Sequence, residues 1–194
     1  MKKILLTSLL AAGFITSAIA NETLTLDPTH SYVEYNISHF GKSIQSGKWF
    51  ANGTVNLDQK NLDKSSVNVT IQVNTLTTGL DKLNEHLLSK DFFNAESFPT
   101  VTFASNKVVS AKDGKFVVDG MLTLHGVTKP VKLNVVSNGI SINPMNKLNT
   151  AGYTATTTIK RSDYGISAYV PAVGDEVKLT IDVEAQDLTK PVTK

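Results

Sequence analysis

Any chemistry in this chain would come from four histidines, a few acidic and basic side chains and the serines near them, because it contains no cysteine. Thiolate nucleophiles and thiolate metal ligands are therefore excluded. The histidines are His30, His39, His86 and His125, and the first two bracket the run "HSYVEYNISH". Two metal ligands on one strand must share a face, which requires an even spacing. His30 and His39 are nine residues apart, so their side chains point to opposite sides. His39 continues the side that carries Val33, Tyr35 and Ile37, whereas His30 goes with Tyr32 and Glu34. No H-x-H or H-E-x-x-H motif occurs, and no metal site is expected. His30 and His125 are expected to bond backbone groups at strand ends. His39 and His86 are the candidates for ligand contact.

Nucleophilic catalysis finds no better support. Ser31 and Ser38 adjoin histidines, but strand neighbours project to opposite faces, and there is no G-x-S-x-G elbow. No catalytic residue is assigned. In "KRSDYG", Arg161 keeps the parity of Tyr153 and Ile159. It either enters the interior near one mouth, as a cation for a ligand's polar head, or forms an exposed ion pair with Asp163.

The elements that position these residues are mostly strands. Alternation of period two marks half-buried strands. It runs through Val67, Val69, Ile71 and Val73, through Val131, Leu133 and Val135, and through Val177, Leu179, Ile181, Val183 and Ala185. Phe116, Val118, Leu122 and Leu124 share a face with Gly120 between them, and Tyr153, Ala155, Thr157 and Ile159 share another. "KDGK" (112–115) reads as a tight hairpin, because Asp-Gly tolerates positive φ. "HGVTKP", ending at Pro130, reads as a joint between strands, and 137–152 as a long polar loop. Gly53 reads as a bulge within one strand spanning Lys48 to Leu57. One short helix is expected over about Lys82–Ser89, with Asp81 as N-cap. The expected fold is all-β, an antiparallel barrel of about eight strands with one short helix.

Residues 1–20, "MKKILLTSLLAAGFITSAIA", carry a positive start, a short apolar run and an Ala-Ile-Ala cleavage site, the pattern of a secretory signal peptide. Residues 21–194 then form a single domain. Lys2 and Lys3 account for the whole formal charge of +2, so the exported domain is neutral. Neutrality without a basic cluster argues against nucleic acid as a partner. No second apolar segment is long enough to span a bilayer.

A closed barrel of about eight strands has an interior that side chains fill or one small ligand occupies. The inward parity selects Val33, Tyr35, Ile37, His39, Trp49, Val55, Phe103, Leu122, Leu124, Tyr153, Ile159 and Arg161. His86 joins them from the helix, and these thirteen are the candidate ligand-binding residues.

Several blocks together resemble the YceI-like family. They are "LDPTHSYVEYNISHFGKSIQSGKWF" (26–50), "EHLLSKDFFNAESFPTVTFAS" (85–105), "GMLTLHGVTKPVKL" (120–133), "IKRSDYGI" (159–166) and "DEVKLTIDVEA" (175–185). Leu83 and Asn84 stand where the family pattern carries an Arg-Asp pair ahead of its His-Leu step. The resemblance implies an extended lipocalin-like β-barrel in the periplasm, with an elongated apolar cavity for a polyisoprenoid or another long-chain amphiphile. It implies binding, transport or sequestration, in some members linked to stress. No cofactor is expected beyond a bound lipid. The expected partners are an isoprenoid or fatty lipid and, transiently, a membrane without stable insertion, for a monomer or dimer. Two other readings stay open: an enzyme or redox partner acting on a quinone-like isoprenoid, and a solidly packed barrel that docks to a membrane protein.

Overall fold

The alternating segments pair into nine antiparallel strands. They are β1 (Glu22–Leu26), β2 (Tyr32–His39), β3 (Ser43–Leu57), β4 (Ser66–Gln72), β5 (Thr100–Ser110), β6 (Lys115–Leu124), β7 (Val127–Ile142), β8 (Asn149–Lys160) and β9 (Val173–Gln186). The computed structural model describes residues 22–110 and 112–189. Residues 1–20, expected from the sequence to be a signal peptide, lie outside them. The strands follow in the order β1-β3-β2-β9-β8-β7-β6-β5-β4, and the pairings β3–β4 and β1–β9 close the ring.

Nine strands make eight ring positions, because β1 and β2 share one. β1 pairs Thr25 with Thr54 on β3 and with Gln186 on β9, and β2 continues along the same neighbours from Tyr32, opposite Phe50 and Asp182. Residues 27–31 step outward between them. Asp27 anchors this excursion, accepting from the Thr29 N–H at 2.9 Å and the Thr29 hydroxyl at 2.7 Å, and pairing with His30 Nδ1 at 2.9 Å. Ser31, fully buried, ties it back: its hydroxyl donates to the Glu184 carbonyl and accepts from the Glu184 N–H. His30 thus bonds a side-chain carboxylate rather than backbone. The ligating atoms of Asp27, His30 and Glu184 converge within 4.8 Å of one another here.

Four departures from the sequence expectation have local causes. The β3–β4 register runs unbroken through Gly53↔Val69, so Gly53 is not a bulge. It is a close approach, since a Cβ there would lie 2.1 Å from the Asn68 carbonyl oxygen. The joint before Pro130 shrinks to His125-Gly126, both with positive φ (51° and 76°), and Pro130 lies inside β7 opposite Met121. The polar loop shrinks to 143–148 because β7 and β8 extend into it. The helix, α1 (Asp81–Leu88), has Leu80 rather than Asp81 at its N-cap. No side chain caps it; Asn84 instead ties the helix to the chain before it, its Oδ1 accepting from the Thr78 N–H and hydroxyl. The Asp113-Gly114 hairpin forms as the sequence implies, with φ of 61° and 70°.

The main core cluster gathers inward side chains of several strands, among them Leu24, Val33, Tyr35, Trp49, Ile71 and Ala185. A second cluster of Phe92, Leu124, Tyr164 and Ile166 sits under α1 at one end.

Two predictions concern this frame. Gly53→Ala forces strand β4 to move and should destabilise the fold by about 1–3 kcal/mol in urea titration; an unchanged midpoint would show that the approach is not limiting. The second concerns acid. Partial burial alone would raise the Asp27 pKa, but the hydrogen bonds from His30 and Thr29 outweigh it and hold it at about 2, against 3.8 ordinarily. A depressed carboxylate contributes stability above its unfolded pKa and loses it as pH falls through the folded one. Wild-type stability should therefore fall between about pH 4 and pH 2 with a component that Asp27→Asn removes. His30, raised chiefly by its hydrogen bond to Asp27, works in the opposite sense, its contribution fading as pH climbs through its raised value.

Candidate ligand cavity

Strand direction assigns the two ends of the barrel. His39, Leu124, Val127, Lys160 and Val173 lie at one end, with α1; Leu57, Ser66 and Lys115 lie at the other. Between them runs a cavity of about 610 Å³. All thirteen residues singled out by parity and by the helix line it: Val33, Tyr35, Ile37, His39, Trp49, Val55, His86, Phe103, Leu122, Leu124, Tyr153, Ile159 and Arg161. A closed ring brings them together, since every inward side chain faces the same axis.

The middle of the wall is aromatic. Tyr35 and Trp49 are adjacent on β2 and β3, ring centroids 5.3 Å apart, and Phe93 meets the indole edge-on at 5.2 Å. The indole N–H donates to the Val73 carbonyl at 3.2 Å, which fixes the ring against the chain after β4. Phe103 lies across Gly120, where a Cβ would be 2.3 Å from the ring. Burial pushes the Tyr35 phenol up to about 12. Burial, and secondarily the Glu22 charge, also raise Tyr153. Both phenols are neutral at physiological pH.

The α1 end is the mouth. Phe40 and Tyr169 line the cavity yet are more than half exposed (57% and 58%). Phe40 is tied to the opposite segment by its N–H to the Ala172 carbonyl at 2.7 Å. His39 meets Phe40 edge-on at 4.2 Å. His86 meets Phe92 edge-on at 5.0 Å, and Phe92 stacks on Tyr169 at 6.1 Å. Both histidines thus present rings at the opening, in aromatic surroundings. Leu83 is part of the apolar wall. At the far end Leu62 and Ser65, from the segment that joins β3 to β4, line the cavity together with Ser66 at the start of β4.

Arg161 enters the interior rather than pairing with Asp163, which meets Lys129 instead at 3.6 Å. Its guanidinium donates from Nε to the Gly174 carbonyl (2.8 Å), from Nη1 to Ile166 (3.0 Å) and from Nη2 to Val173 (3.0 Å). The arginine is 5% exposed and pins the 165–172 segment that carries Tyr169. His125 behaves as the sequence suggests, its Nδ1 lying 3.1 Å from the Tyr164 carbonyl.

Sequence reasoning passes over Phe92, Tyr169 and Val108 as cavity residues. Phe92 stands near helical spacing from Leu83 and Leu87 but falls beyond the end of α1, and Tyr169 sits in an irregular segment with no period to read. Val108 follows a register shift between Ser105 and Lys107 that reverses parity, so it points in at 7% exposed while Val109 points out at 38%.

Comparison with known proteins agrees with this architecture. The YceI-like domain matches residues 24–185. Protein YceI of Salmonella arizonae is 37% identical over 188 residues, covering 95% of this chain and 97% of that one. BcnA of Burkholderia cenocepacia superposes with a TM-score of 0.74 at 23% identity, over 82% of this chain and 98% of that one. A structure described as a polyisoprenoid binding domain from Saccharophagus degradans, implicated in plant cell wall breakdown, gives 0.64 at 16% identity, over 87% and 99%. At such identities these two likenesses speak for the lipocalin-like fold alone.

Replacing Arg161 by Met keeps its length and removes its donors, stranding three carbonyls. The expected loss is about 2–4 kcal/mol of stability by urea titration. A loss within about 0.5 kcal/mol of zero, the range of ordinary surface substitutions, would mean that water replaces the guanidinium at no cost.

Proposed function

The chain belongs to the YceI-like family, and from that premise we propose that it holds a polyisoprenoid or other long-chain amphiphile in its barrel, carrying or sequestering it without chemical change. One observation supports this most directly. Among the described residues that line the cavity, Arg161 is the single formally charged one, and all three of its nitrogens donate to backbone carbonyls. Such an interior suits an apolar chain and penalises an ionic solute. The family membership and the apolar lining carry the ligand class; the polyisoprenoid binding domain of Saccharophagus degradans shares the fold.

The energetics fit such a cargo. Burying one carbon is worth about 0.8 kcal/mol, so a five-carbon unit is worth about 4 kcal/mol gross. A few units would exceed any realistic net affinity if water were the reference. A lipid drawn from a membrane already has a dry tail, so most of that gain cancels. Cavity shape and head-group contacts then decide selectivity. His39 and His86 at the mouth would take the polar head, with Arg161 behind them. Tyr35, Trp49, Phe103 and Leu124 would hold the chain. A protein exported by residues 1–20 would do this in the periplasm, touching a membrane only transiently.

Native mass spectrometry of protein isolated without detergent, followed by solvent extraction, tests the proposal. The expected result is a stoichiometric prenyl or long-chain lipid that Tyr35→Ala or Leu124→Ala retains less well. A bare polypeptide mass, with no uptake of added geranylgeraniol, would overturn it. Conversion of an added lipid, abolished by His39→Ala, would replace it with the enzymatic reading.

A further inference from the structure

The ring is not sealed evenly. The β7–β8 register runs from Ile142↔Asn149 to Asn134↔Thr156 and stops. Continued, it would pair Leu133 with Thr157, Lys132 with Thr158 and Val131 with Ile159. Both strands go on as strands, each bonded to its other neighbour: β6–β7 pairs as far as Leu124↔Val127, and β8–β9 as far as Lys160↔Glu176. Between 127–133 and 157–160 the two edges face each other without a ladder.

Pro130 gives a reason. The β6–β7 ladder passes through Met121↔Pro130 without a break, so the proline nitrogen points away from β6 and towards β8. It has no N–H to offer there, and a proline in a sheet belongs on an edge. Among the described residues one ion pair crosses the seam, Lys129 Nζ to Asp163 Oδ1 at 3.6 Å, both half exposed and so weakly held.

Outside the seam lies a second cavity of about 550 Å³. Lys129, Lys132, Lys160, Asp163 and Glu176 surround it. Val131, Thr157 and Ile159 line both this crevice and the main cavity. The wall between a polar exterior and an apolar interior is there only one layer of side chains thick, with no paired ladder across it.

We propose that this seam is a second, lateral opening of the binding site. An apolar chain passes sideways between β7 and β8, and the outer crevice holds the polar end of the amphiphile during that passage, before the head settles at the α1 mouth. The crevice carries three ammonium groups and two carboxylates, and Lys132 Nζ is already bonded to Asp119 Oδ1 at 2.7 Å, so it fits a head that both donates and accepts, or a small acid, rather than a polyanion. The inference rests on the lipid-binding reading above.

The chain has no cysteine, so two introduced thiols can staple the seam selectively. Lys132→Cys with Thr158→Cys would join the facing edges from outside the barrel. Asn134→Cys with Thr156→Cys, at the last formed pair, is the control. Uptake of cis-parinaric acid is followed by stopped-flow fluorescence, oxidised and reduced. The seam staple should slow uptake about tenfold or more, reversibly on reduction, and the control staple should not. Thr158→Trp, which fills the crevice without a cross-link, should slow it in the same direction. Unchanged uptake in the stapled and Trp variants would overturn the lateral opening and leave the mouth as the route. No uptake by the wild-type protein would overturn the opening together with the lipid-binding proposal.

Discussion

Closure of the sheet is the constraint on which everything else here depends. An open sheet would need a second layer to cover its apolar face; a ring covers its own. Once eight positions close, inward side chains from every strand share one axis, and medium-sized groups such as Ala155, Thr157 and Val55 do not fill the space between them. The cavity follows from closure plus modest side-chain volume, and no separate binding element is required. Closure itself hangs on the place where one ring position changes strands. There Asp27 and Ser31 hold β1 and β2 in line with each other between β3 and β9.

The mouth obeys a different logic. Strands impose alternation but cannot shape an entrance, so the entrance is made from irregular chain held by polar anchors. Arg161 is the chief of these. Its three carbonyl contacts convert a loop into a fixed rim that carries Tyr169. Asn84 plays a lesser version of the part by holding Thr78 at the entry to α1. A charged side chain in an apolar cavity wall thus acts first on backbone, and any effect on a ligand comes second.

The sequence carries the ring and its inner face openly, because period two survives any amount of twist. Thirteen residues chosen largely by parity line one cavity for that reason. Legibility ends where the period is reset or absent. A register shift inside β5 swaps the faces of Val108 and Val109, and nothing in "NKVVS" distinguishes the two valines beforehand. Gly53 offers the same letter for a bulge and for a close strand approach, and only the neighbouring Asn68 carbonyl decides between them. Pro130 looks like punctuation but is an edge residue inside a long strand, because the seam gives it an edge to occupy. Phe92 keeps near-helical spacing past the point where α1 ends, and Tyr169 depends on a loop path that no local pattern encodes.

Alternation in a closed ring also means that the chain carries two messages interleaved residue by residue. One is addressed to whatever lies on the axis, the other to the surroundings. In β9, Val177, Leu179, Ile181 and Val183 belong to the first, and Lys178, Thr180, Asp182 and Glu184 to the second. Because the backbone insulates one from the other, the outer text can be rewritten, for a new host compartment or a new neighbour, while the inner text stands. A single inserted or deleted residue within a strand would exchange the two beyond it, and the register shifts mark where the chain already makes that exchange.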